Sequence, residues 1–322
     1  MKKSVFYALA CALCFTGCNN ENPVESPVTN TNGELSPIQF GVTLKKDVID
    51  FPTTRSMPPL DISEPTVSKS ETNPDDSAVT DIQDLCARIE YIVYKKEEDI
   101  PVFFKHKQYT PSDMDFGIVY DTLPHGDYQF YFLAHSSENT TLSGSSLSFD
   151  EISDTFYSSL AQTIAPAEII SEDITLNRIV SKIELKATDS IPTELKRFDM
   201  TVTGRSKELD LTDGKGTANT TPHLFSYTFT TEDIGKKDNI HSFYTFLPPE
   251  QGKLEIHTEA FATNEELIRE RVVKNIQPQM NKIIRYSGRL YSKSESDDTF
   301  MLSIFNNGAW SDTTTVNLPE YD

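Results

Sequence analysis

Ile38, Phe40, Val42 and Leu44 alternate with Gln39, Thr43 and Lys45, the period-two pattern of a half-buried strand. Strand-like runs follow at Ala87 to Lys95, Phe116 to Tyr120 and Tyr128 to His135, and Leu123-Pro124-His125-Gly126-Asp127 predicts a turn into the last of them. Around Asp150 the spacing changes. Ile152, Phe156 and Leu160 lie four apart behind a residue suited to an N-cap, which predicts one short helix. Period two then resumes in Ile183, Leu185 and Ala187, in Phe198, Met200 and Val202, in Leu254, Ile256, Thr258 and Ala260, and in Phe300, Leu302 and Ile304. Asp213-Gly214 is a strong hairpin-turn dipeptide. The expected class is mainly β, as two β-sandwich domains over residues 36–170 and 171–322 with one short helix between the halves. A faint echo links them: Arg88-Ile89-Glu90-Tyr91 returns as Lys182-Ile183-Glu184-Leu185, and Leu123-Pro124 as Leu247-Pro248.

Periodicity fails over residues 50–81, where Pro52, Pro58, Pro59, Pro65 and Pro74 interrupt a run rich in Asp, Glu, Ser and Thr. A long exposed loop separating the first strand from the rest is expected there. At the N-terminus, Met1-Lys2-Lys3 precedes an apolar run from Ser4 to Phe15, too short to cross a bilayer comfortably and of the length of a signal-peptide core. Thr16-Gly17-Cys18 closes it and resembles a bacterial lipobox, with Phe15 bulkier than the usual Leu. Residues 1–17 are then a removable leader and Cys18 an acylated N-terminus, and the Asn-, Pro-, Glu- and Thr-rich residues 18–35 are a flexible tether to a membrane surface. No later segment approaches eighteen consecutive apolar residues.

The chain of 322 residues has a formal charge of -20, and losing the two leader lysines, Lys2 and Lys3, takes it to -22. That charge excludes nucleic acid as a partner, since a phosphate-binding face needs a basic excess. Of the four cysteines, Cys11 and Cys14 lie in the leader and Cys18 is assigned to lipid, so Cys86 has no partner. Stability is expected from a packed core rather than from disulfides.

Catalytic chemistry is thin. His106, His125, His135, His223, His241 and His257 are scattered, the Cys11-x-x-Cys14 pair lies within the leader, and neither a further metal-ligand pair of cysteines nor a nucleophile elbow occurs. No catalytic residue, metal site or cofactor is assigned, and the chain reads as a non-enzyme. Asp210-Leu211-Thr212-Asp213-Gly214 faintly suggests a calcium loop but lacks its alternating carboxylates, so a hairpin turn is expected. Trp310, Tyr128 and Tyr131 are candidate platforms for a glycan ligand, set against ordinary core packing. Arg55, at the mouth of the Pro-rich loop, is either an exposed arginine or a protease site. A cut there, with Ser56 as the new N-terminus, would disconnect the strand of Ile38, Phe40, Val42 and Leu44 from the rest.

Several segments together resemble the fimbrillin family, the subunits and anchors of type V pili. These are Thr16-Gly17-Cys18, the strand Ile38 to Lys45, Thr54-Arg55-Ser56, Ala87 to Tyr94, Leu123-Pro124-x-Gly126-x-Tyr128, Leu176 to Ile183, and Asn281 to Leu290 with Tyr286-x-Gly288. The resemblance spans most of the mature chain and implies two transthyretin-like sandwich domains. It implies an outer-membrane lipoprotein of the fimbrium that assembles with other pilus subunits by strand exchange, after a cut following an arginine removes the first strand in stalk subunits. It also implies adhesion to a host or glycan ligand, and it suggests glycosylation at Asp76-Ser77-Ala78. The short C-terminal alternation of Val316 and Leu318 before Pro319 favours an anchor or accessory subunit. A surface glycan-binding lipoprotein is the alternative.

Overall fold

Alternating burial organises the described residues into twenty strands. The structure, a computed structural model, describes residues 35–45, 82–98, 100–166, 168–293, 299–306 and 309–318, with backbone alone at 251, 306 and 309–318. Cys18, Arg55, Ser56 and Asp76-Ser77-Ala78 lie outside the described residues, as does the Trp310 side chain.

The first nine strands are β1 (Leu35–Leu44), β2 (Arg88–Glu97), β3 (Ile100–Tyr109), β4 (Ile118–Pro124), β5 (Gly126–His135), β6 (Thr140–Ser143), β7 (Ser146–Phe149), β8 (Thr155–Ile164) and β9 (Ile170–Arg178). Seven of them form one sheet in the order β3-β2-β5-β8-β9-β1-β4. Its weak point is the β8–β9 junction, where only Phe156↔Arg178 and Tyr157↔Asn177 pair. There the sheet turns back on itself, and β9, β1 and β4 lie over β2, β5 and β8. The two leaves enclose a core of Phe40, Tyr91, Val119, Leu123, Phe130, Phe132, Phe156 and Leu176 with their neighbours.

The opposite face of β2 and β5 is covered as well. Ile92, Tyr94, Tyr131 and Leu133 pack with Leu147, Phe149, Leu209, Leu211 and Phe246. Burial on both faces explains why β2 carries a nearly continuous apolar run rather than a clean alternation.

The remaining strands are β10 (Val180–Ala187), β11 (Leu195–Thr203), β12 (Glu208–Asp210), β13 (Lys215–Gly216), β14 (His223–Thr228), β15 (Ile240–Phe246), β16 (Leu254–Ala262), β17 (Leu267–Ile276), β18 (Lys282–Gly288), β19 (Phe300–Asn306) and β20 (Ala309–Leu318). One sheet runs β15-β10-β18-β19-β20 and another β14-β11-β16-β17. They share a core that includes Ile183, Leu185, Phe198, Met200, Ile256, Tyr286 and Tyr291. A fourth sheet, β13-β12-β7-β6, draws strands from both parts of the sequence.

The echoed tetrapeptides occupy comparable settings. Ile89 and Tyr91 on β2, and Ile183 and Leu185 on β10, each point into a core. The intervening Glu90 and Glu184 are both buried, and both bind basic partners.

The expected helix near Asp150 does not form. Residues 155–164 are strand β8, paired along its whole length with β5. A spacing of four fits both a helical turn and two strand repeats, so Ile152, Phe156 and Leu160 could not separate the two. Pairing with β5 decided it. Asp150 is exposed and accepts from the side chain of Asn139 and the backbone of Glu151 instead of capping a helix. The α-helix present among the described residues is a four-residue turn, α1 (Ile82–Leu85).

Candidate functional site: the first strand in its groove

β1 is an internal strand of its sheet, held on both edges. It pairs antiparallel with β4 from Leu35↔Pro124 to Gly41↔Ile118. On its other side it pairs parallel with β9 from Ile38↔Ile170 to Leu44↔Leu176. At its C-terminal end Val42 N donates to Gly117 O at 2.7 Å and Lys45 N to Leu176 O at 3.1 Å. Near its start the Ser36 hydroxyl donates to Ala165 O at 2.9 Å.

The alternation read in the sequence is realised in packing. Ile38, Phe40 and Val42 are 3%, 0% and 4% exposed, and Leu44 is half-buried against the same core. Phe40 is the centrepiece. Its ring lies 5.1 Å from Phe132 edge-on, 5.3 Å from Phe130 and 6.5 Å from Tyr91. Burying Ile38, Phe40 and Val42 is worth roughly 5–9 kcal/mol, at about 1.5–3 kcal/mol for each large apolar side chain. Gly41 suits its place too, because a Cβ there would fall 2.5 Å from the Asp173 carboxylate on the neighbouring strand.

β4 forms one wall of the groove, and two contacts tie it to the opposite leaf. Asp121 Oδ2 accepts from the Tyr91 hydroxyl at 3.1 Å, and its Oδ1 from Lys105 Nζ at 2.5 Å. Tyr128, fully buried, donates its hydroxyl to Pro124 O at 2.9 Å. That bond gives Leu123-Pro124-x-Gly126-x-Tyr128 a physical role: the tyrosine fastens the end of β4 across the turn into β5. Burial pushes the Tyr128 hydroxyl up to about 12, and burial, helped by the nearby Asp121 charge, pushes Tyr91 higher still. Both hydroxyls therefore act as neutral donors.

A second polar cluster stiffens β2. Buried Glu90 accepts from Gln108 at 2.8 Å and Thr140 at 2.8 Å, and it contacts His106 at 2.7 Å and His135 at 3.2 Å. Burial alone would raise its carboxyl, but the hydrogen bonds from His106, His135 and Gln108 outweigh burial and hold it well below the usual range. His135 Nδ1 accepts from Ser137 N at 3.2 Å, so its proton sits on Nε2, facing Glu90. That nitrogen has no lone pair to offer a metal. Among the described residues no group of three His, Cys, Asp or Glu is arranged to hold an ion. In the Asp210–Gly214 stretch, Asp210 Oδ1 accepts from both the backbone and the hydroxyl of Thr212, and Gly214 turns the chain at φ +68, a turn joining β12 to β13.

Two candidate glycan platforms are corrected by burial. Tyr128 is 0% and Tyr131 6% exposed, and both rings are spent on core contacts with Phe130 and Tyr157 respectively. Asp121, Lys105 and Tyr91 escaped the reading of the sequence. They stand on three strands, and each taken alone is an unremarkable residue in a strand-like run.

Neither a family model nor a curated protein sequence matches the chain. Solved structures do. A candidate polysaccharide-binding protein from Bacteroides thetaiotaomicron superposes with a TM-score of 0.50 at 11% identity, over 87% of this chain and 98% of that one. The two share a fold. The fimbrial anchor protein Mfa2 from Porphyromonas gingivalis gives 0.47 at 9% identity, over 89% of this chain and 100% of that one. A fimbrial assembly protein from Parabacteroides distasonis gives 0.45 at 10%, over 89% and 100%.

Proposed function

We propose that the protein is a non-enzymatic subunit of a cell-surface pilus, an anchor or accessory subunit, that joins its neighbours by exchange of the first strand. One observation carries the reading: β1 is paired on both edges and buries Phe40 completely. A strand so placed leaves two hydrogen-bonding edges and an apolar groove if it departs. An incoming strand that repeats its alternation would restore both, main-chain bonds giving affinity and side-chain pockets giving specificity.

In this reading residues 36–170 and 171–322 are two transthyretin-like sandwich domains. The leader 1–17 directs export, lipid on Cys18 holds the protein to the outer membrane in the fimbrium, and a cut between Arg55 and Ser56 is the switch that frees β1. An anchor keeps Cys18 and its own β1, whereas a stalk subunit loses both. N-terminal sequencing and intact mass of the mature protein separate the two. An acylated Cys18 is expected for the anchor and Ser56 for the stalk, and a mature protein that never co-sediments with high-molecular-weight polymer overturns the reading. The alternative, a surface glycan-binding lipoprotein, is weakened by the burial of Tyr128 and Tyr131.

A further inference from the structure

Among the described residues β4 has one strand partner, β1. This matters if β1 leaves, an inference that rests on the strand-exchange reading. Without β1, the seven residues of β4 would keep only Val119 and Leu123 in the core. Two buried side chains do not offset the entropy of ordering seven residues, and the wall of the groove would fall away before a new strand arrived.

Asp121 stands where this can be prevented. It lies opposite Ile38 in the β1–β4 register, yet its carboxylate is held by groups on strands other than β1. Tyr91 on β2 donates to one oxygen and Lys105 on β3 to the other. β3 and β4 are the two ends of the sheet order, so these bonds span the open side of the fold. The Tyr91 hydroxyl is fully buried and meets a carboxylate that is itself 10% exposed, the setting in which a hydrogen bond to a charged group is strong. The Lys105 ion pair is 36% exposed on the lysine side and is the weaker of the two.

We propose that Asp121, gripped by Tyr91 and Lys105, is a positioning residue that keeps β4 docked while β1 is absent, so that the groove stays open to the incoming strand. In the intact chain β1 also holds β4, so losing this grip costs stability without freeing the strand; once β1 is released, the grip decides whether β4 stays docked.

The test uses the full chain with a specific protease site in place of Thr54-Arg55-Ser56. After cleavage, a labelled synthetic peptide of residues 35–45 competes for the groove, and its affinity is measured for the wild type, Tyr91→Phe and Asp121→Asn. Tyr91→Phe keeps the ring that stacks on Phe130, and Asp121→Asn keeps the side-chain size. Uncut variants should melt below the wild type, since a buried hydrogen bond to a carboxylate is lost, but they should keep slow hydrogen exchange at residues 118–124, where β1 still pairs with β4. After cleavage both should bind the peptide about tenfold more weakly, with rapid hydrogen exchange at residues 118–124 in the unliganded form. Cleaved variants that bind as tightly as the cleaved wild type overturn the role of Asp121 and leave strand exchange standing. A cleaved wild type that does not take up the peptide overturns strand exchange itself, and the role of Asp121 with it.

Discussion

Arg178 and Asp154 form a two-pronged ion pair inside the protein: Nε and Nη2 of the arginine each reach a carboxylate oxygen at 2.7 Å. The guanidinium is fully buried, lies over the Phe156 ring at 5.0 Å, and donates from Nη1 to Asn281 at 3.1 Å. It therefore ties the end of β9 both to the segment before β8 and to the segment before β18. That is the junction where the β8–β9 ladder has only two residue pairs, so side chains there supply what backbone pairing does not.

Removing one partner of this pair should cost about 3–5 kcal/mol, because a buried charge is left uncompensated. Arg178→Met and Asp154→Asn are expected to fall in that range by urea denaturation. The double variant should cost less than the sum of the two. Additive losses would mean that the two side chains act independently.

Phe40→Ala should destabilise the intact chain by about 3–5 kcal/mol, the usual cost of emptying a buried aromatic site. The same substitution in a peptide of residues 35–45 should abolish its uptake by cleaved protein. Thr43, on the exposed face of β1, is the control, and Thr43→Ala should change neither measurement appreciably.

His241 gives a pH dependence of known sign. It is 4% exposed, with Nε2 2.7 Å from the Tyr291 hydroxyl and its ring 4.4 Å from those of Phe198 and Tyr227. Burial lowers its pKa from 6.5 to about 4. The unfolded chain then takes up a proton first as pH falls. Stability is full above pH 6.5, declines as pH drops toward 4, and loses nothing more from this group below that. At about 1.4 kcal/mol per pH unit the loss approaches roughly 3 kcal/mol. Thermal melts between pH 7 and 4 should show this slope, and His241→Phe should flatten it.

Cys86 is 2% exposed, and burial pushes its thiol far above the ordinary value. Peptide mapping after treatment with iodoacetamide should find Cys86 unmodified in native protein and alkylated in urea. Labelling of native Cys86 at the rate of a free thiol would contradict its burial in the core around Phe40.

Much of this architecture was legible in the chain. Ile38, Phe40 and Val42 announced their buried face by alternation, and Asp213-Gly214 announced its turn. Burial on both faces explains why Ile89 to Tyr94 reads as a strand without a clean alternation. Residues 152–160 misled because their spacing satisfies two periods at once. Tyr128 and Tyr131 misled for another reason: an aromatic residue in a strand serves a core or a ligand equally well until its neighbours are known.

By itself the sequence determined the mainly β class, the half-buried first strand and the acidic charge. These depend on side-chain type and on spacing along a single strand, which local sequence encodes directly. Only the tertiary structure decided that β1 runs parallel to β9 and antiparallel to β4, that Phe40 meets Phe130 and Phe132, and that Asp121 is gripped by Tyr91 and Lys105. Those facts rest on pairings between segments tens of residues apart. Alternation states that a side chain will be buried, and only the pairing of strands states what it will be buried against.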